Sequence, residues 1–81
     1  MEFVARTPGQ LGQVLKNWRK QRGLTQRSVA AKVGLKQAQI SVIESHDAKA
    51  TVETLYKVLS ALGLELMLRD KSSSDTTPTE W

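Results

Sequence analysis

At 81 residues the chain has room for one domain, and it buries only about 60–65% of the surface its unfolded form exposes, so a partner subunit is the expected supplement to its core. The absence of cysteine excludes disulfides and thiolate metal sites, a single histidine leaves too few ligands for zinc, and no apolar run reaches membrane-span length. Charge is uneven: residues 1–43 carry eight Lys/Arg against Glu2 alone, or +7, while residues 44–81 carry −3, and a basic half suits either a polyanion such as phosphate backbone or a solubilising surface.

In chain order, EFVAR (2–6) is short enough to be an edge strand. TPGQ (7–10) starts a helix: Thr7 is an N-cap, Pro8 sits where its missing N–H costs nothing, and Gln10 can complete a capping box. Leu11, Val14, Leu15 and Trp18 follow on one helical face, which makes Trp18 core, and Gly23 ends the helix. Thr25 caps a second helix, about 26–33, with Val29, Ala30 and Val33 inward and Gly34 after it. A third, about 37–46, offers Ala38, Ile40 and Ile43 for burial, and His46 falls in the polar run after it as an exposed residue. Thr51 caps a fourth, about 52–62, with Leu55, Val58, Leu59 and Leu62 inward and Gly63 as its stop. The period then changes: LELMLR (64–69) alternates, with Leu64, Leu66 and Leu68 on one face. A strand must pair, with residues 2–6, with its copy in a second chain, or with both, and a strand-mediated homodimer is the expectation. Residues 71–81 are too polar to fold and read as a disordered tail, leaving 1–70 as the domain.

The expected fold is therefore all-α with a small β addition: four helices and then one strand that pairs in a homodimer. Residues 25–44, TQRSVAAKVGLKQAQISVIE, join two short helices through Gly34 in a tight turn, which is a helix-turn-helix whose second helix can enter the DNA major groove. Its apolar positions face the other helices. Lys36, Gln37, Gln39, Ser41 and Val42 are left outward, where Lys can donate to guanine and Gln can pair with adenine, and the methyl of Ala38 can meet thymine. A merely solvated helix face is the plainer alternative for the same residues. No nucleophile stands beside a positioned base, so no enzyme, catalytic residue, cofactor or metal is expected. A cysteine-free chain with neither a secretory signal nor a membrane span is expected in the cytoplasm, associated with the nucleoid when bound to DNA.

Residues 11–44 resemble the repressor-type helix-turn-helix of phage repressors and their bacterial relatives. The matching positions are Leu11-Gly12, Leu15-Lys16, Arg19, Gly23-Leu24-Thr25-Gln26, Val29-Ala30, Val33-Gly34, Ile40-Ser41 and Ile43-Glu44. The resemblance implies that Arg19 and Glu44 form a structural ion pair and that Gln26 holds the DNA backbone. It also implies that Arg27 lies near the duplex and that Lys36, Gln37, Ala38, Gln39 and Ser41 occupy base- and phosphate-contacting positions. A narrower resemblance, to HipB-type antitoxins, rests on TPGQL, LTQ, GLKQAQIS, the LELMLRD segment after the fourth helix, and the Ser/Thr-rich end in EW. It implies a strand paired across a homodimer, a palindromic double-stranded operator, repression of a toxin–antitoxin operon, and a HipA-like Ser/Thr kinase toxin as partner. Trp81 would anchor that partner through a flexible tether, although a residue without a role is also compatible, and Ser72–Ser74 are either flexible linker or kinase targets. A stand-alone dimeric repressor without a toxin, and an interaction module that has lost DNA binding, are the competing readings.

Overall fold

A computed structural model describes residues 2–45 and 50–71. Four helices follow in order: α1 (Pro8–Gln21), α2 (Gln26–Lys32), α3 (Gln37–Glu44) and α4 (Val52–Ala61). Each of α1, α2 and α4 starts on a threonine whose side chain accepts a backbone N–H three residues on: Thr7 from Gln10, Thr25 from Ser28, Thr51 from Thr54. The expected capping box at α1 is displaced by one residue, because Gln10 Oε1 accepts from the Arg6 N–H at 2.7 Å and not from Thr7. At α2 the reciprocal partner is Ser28, whose hydroxyl accepts the Thr25 N–H at 3.0 Å.

Three helix ends are built alike, from the pair Gly-Leu. Gly34 has φ +69°, a left-handed conformation that costs a side-chain-bearing residue roughly 1–2 kcal/mol. That turn lets the Leu35 N–H reach back to the Ala30 carbonyl at 2.9 Å. Leu24 bonds Arg19 O at 3.1 Å in the same way, and Leu64 bonds Leu59 O at 2.9 Å. Each turn thereby delivers its leucine onto the core, where Leu24, Leu35 and Leu64 pack partly buried.

The core is one cluster: Leu15, Val29, Ala30, Ile40, Ile43, Val58, Leu59 and Leu62 are buried, with Leu11, Trp18 and Leu55 against them. Burying each large aliphatic contributes about 1.5–3 kcal/mol. α3 lies against α1, α2 and α4, so the second helix of the turn is held from three sides. Gly12 makes a close approach of α1 to α3 possible. A Cβ there would sit 2.6 Å from Ile43 O, so only glycine lets α1 meet the α3 backbone. Trp18 joins distant ends: its Nε1–H donates to Leu62 O at 2.9 Å, Phe3 meets it edge-on at 5.4 Å, and the Arg22 guanidinium stacks 3.9 Å over the ring.

Two expectations need correction, and a third has no counterpart in the single chain. No strand is present among the described residues: 64–70 belong to no helix and carry no ladder, so strand pairing by Leu64, Leu66 and Leu68 stays a proposal. Residues 2–6 line the same groove but share no backbone hydrogen bond with this segment, and a lone chain supplies no second copy of 64–69 to pair with it. Ala38 is exposed and not part of the core. Finally, α3 stops at Glu44 with Ser45 as its C-cap, shorter than the reading to 46. His46, Ser72–Ser74, Trp81 and all but Lys71 of the tail expected over 71–81 lie outside the described residues.

Candidate nucleic-acid interface

The α2–α3 unit sets the candidate site. Gln26 and Arg27 are the first two residues of α2; Lys36 is the N-cap of α3, and Gln37, Ala38 and Gln39 form its first turn. Arg27, Lys36, Gln37, Ala38, Gln39 and Ser41 are all exposed, and Gln26 is half-buried. Neither α2 nor α3 has an acidic residue in its first turn, whereas α4 has Glu53. Free N–H groups and the helix dipole make both N-termini favourable for anions, and the Arg27 and Lys36 cations sit there against that same dipole. A phosphate would relieve the mismatch.

Beneath this face runs a fixed polar chain. Arg19, 7% exposed, donates from Nε to Glu44 Oε2 at 2.6 Å and from Nη2 to Oε1 at 3.1 Å, a bidentate pair. Its Nη1 donates to Leu24 O at 2.7 Å, tying the pair to the α1–α2 turn. Gln26 Nε2 then donates to Glu44 Oε1 at 3.1 Å, and Gln26 Oε1 accepts from Gln37 Nε2 at 3.3 Å. The Glu44 charge dictates the direction of the whole chain. A carboxylate only accepts, so Gln26 must turn its amide nitrogen inward and its carbonyl outward, and Gln37 must then donate to that carbonyl. What remains outward on Gln37 is its Oε1 and one N–H, one acceptor and one donor, as a bidentate adenine contact requires.

Gln39 has a role in the frame beside the expected one: its Oε1 accepts the Lys36 N–H at 2.9 Å and caps α3, leaving its amide NH₂ as donors. Gln26, expected to hold the DNA backbone, also bridges the buried ion pair to Gln37. The Gln26–Glu44 bond spans 18 residues and has no sequence signal; the Gln39 cap could have been found, because Gln39 stands three residues after the N-cap. Arg22 was also missed, its guanidinium being taken up by the Trp18 ring. Trp81 lies outside the described residues, so its expected anchoring role has no geometry.

Two short helices crossing through a left-handed glycine, with the second helix's N-terminal turns exposed, define a helix-turn-helix protein; the Helix-turn-helix family matches residues 15–68. Antitoxin HipB of Escherichia coli strain K12 is 38% identical over 74 residues, covering 91% of this chain and 84% of the relative. Solved structures agree. A HipA-HipB-O2-O3 complex contains a chain matched at TM-score 0.82 and 37% identity, over 88% of this chain and 100% of that one. A HipB-O4 20mer complex is matched at TM-score 0.83 and 37% identity with the same coverage. The chain belongs to the HipB antitoxin family, within the helix-turn-helix proteins.

Proposed function

We propose that this protein is a DNA-binding antitoxin that dimerises through residues 64–69, represses its own toxin–antitoxin operon at a palindromic site, and binds a HipA-like Ser/Thr kinase toxin. It acts by binding and not by catalysis. The observation that carries the reading is the acid-free pair of helix N-termini bearing Arg27 and Lys36, with Gln37 held in one orientation between them. Arg27 and Lys36 take phosphates, Gln37 and the Gln39 amide read base edges, Ser41 and Ala38 complete the contact surface, and the Arg19–Glu44 pair holds the frame. The complexes described for HipB support extending a HipA-like partner and an operator to this chain. Trp81, the one aromatic among residues 72–81, is the residue we assign to the toxin contact.

The test begins with a duplex selected from a random library by the purified protein, followed by fluorescence anisotropy. Gln37→Ala should relax preference at one base position per half-site, costing about 1–3 kcal/mol, while Arg27→Ala should weaken all sequences alike and flatten the salt dependence by about one unit. Unchanged affinity and preference for Gln37→Ala contradict the placement of α3. Co-purification with a HipA-like kinase separates the antitoxin from a stand-alone repressor, and Trp81→Ala should weaken that complex while leaving DNA binding intact.

A further inference from the structure

Two segments that belong to no helix flank one apolar groove. Residues 2–6 form one wall, residues 64–70 the other, and Leu11, Leu15, Leu55 and Leu59 lie on its floor. Among the described residues, neither 2–5 nor 65–70 makes any backbone hydrogen bond. Each segment therefore has N–H and C=O groups free to join a ladder.

The two walls differ in how they are held. The arm is pinned to α1 by the Phe3–Trp18 edge contact and by the Arg6 N–H donating to Gln10. The other wall peels away: Leu64 is half-buried, Leu66 47% exposed and Leu68 87% exposed. Across the top, an Arg69–Glu2 contact at 3.4 Å is the one ion pair between the walls among the described residues, and with both side chains more than 60% exposed it contributes little. The rim is balanced in charge, Glu2, Glu65 and Asp70 against Arg6, Arg69 and Lys71. A balanced, mixed-sign rim is self-complementary under a two-fold axis and gives nucleic acid no attraction, so a second copy is the occupant it fits.

We propose that residues 2–6 are the outer strand of an intermolecular sheet, laid against residues 64–69 of a second copy. The order across the two-fold is arm, partner's segment, own segment, partner's arm. This rests on the dimer reading above and adds to it: the N-terminal arm is part of the dimer interface, Phe3 covers the partner's Leu66 and Leu68 on the face it shares with Trp18, and Trp18 fixes the arm in place.

Successive N–H groups of a strand point to opposite edges, and an outer strand bonds on one edge only. Val4→Pro and Ala5→Pro therefore have opposite consequences, although both residues are exposed and their N–H groups are unbonded in the single chain. Sedimentation equilibrium on the full chain should show one of the two variants raising the dimer Kd by about tenfold to a hundredfold, since the lost bond occurs twice per dimer, and the other leaving it within about threefold. Both should keep the wild-type helical circular dichroism. Leu68→Glu, tested in parallel, should dissociate the dimer. If Leu68→Glu dissociates it and neither proline matters, or both matter equally, the arm is not the outer strand and the dimer reading stands alone. If Leu68→Glu leaves a full dimer, or the wild-type chain is monomeric, the dimer reading fails and the arm assignment with it.

Discussion

Removing Arg19 is the sharpest perturbation of the site's frame. Its guanidinium makes two bonds to Glu44 and one to Leu24 O, and the Glu44 side chain is only 5% exposed. Arg19→Ala leaves that carboxylate buried with only the Gln26 amide as a donor. Breaking one side of such a pair costs about 3–5 kcal/mol. A domain of this size holds roughly 0.05–0.15 kcal/mol per residue, or about 4–12 kcal/mol in all, so the loss takes much of its stability. At about 4–8 °C per kcal/mol, thermal unfolding followed by circular dichroism should fall by at least roughly 12 °C. The double variant Arg19→Met with Glu44→Leu separates charge from packing. Removing both charges and keeping apolar volume should recover most of the loss, and with it Tm. A single variant that loses less than about 4 °C, or a double variant as unstable as the two singles combined, would refute the reasoning that an unpaired buried carboxylate is what α3 cannot tolerate.

Other expectations follow from individual contacts. Gly12→Ala gains about 1 kcal/mol of helix propensity but drives a Cβ to 2.6 Å from Ile43 O, so α3 must move; denaturant titration should show a net loss of about 1–3 kcal/mol and DNA affinity should fall with it. Gln39→Ala removes the cap on the Lys36 N–H and should cost about 0.5–2 kcal/mol in the same titration. Gln26→Glu sets a second carboxylate against Glu44 and reverses the direction of the chain to Gln37, so both melting temperature and operator affinity by anisotropy should drop, whereas Gln26→Ala should lose base preference with a smaller stability change.

Local chemistry made most of the helical frame legible. Three threonine caps and three Gly-Leu stops are complete signals within five or six residues, and the helix bounds came out within one or two positions. Leu15, Val29, Ile40, Val58 and Leu59 fell on the inner face as their spacing requires. What was not legible depends on tertiary distance or on a partner. Gln26 touches Glu44 only because α2 and α3 cross, and a glutamine at the start of a basic helix reads equally well as a phosphate contact. Gly12 reads as a weak helix position until the α3 carbonyl above it is known. The alternation of 64–69 is a property of the sequence, but a ladder is a property of two edges, and in one chain residues 2–6 line the groove without bonding this segment. Ala38 was ambiguous from the start, small enough for a core and placed on the reading face, and the structure leaves it exposed.

The account stands on two copies of α3 entering successive major grooves of one palindromic duplex. Hydroxyl-radical and guanine-methylation footprints of the selected duplex, read at saturating protein, test this most directly. The account predicts two protected half-sites with centres one helical turn, roughly 34 Å, apart, with guanine N7 protected within each and both lost together in Leu68→Glu at the same protein concentration. A single protected half-site, or continuous protection without a repeat that Leu68→Glu leaves unchanged, would contradict it.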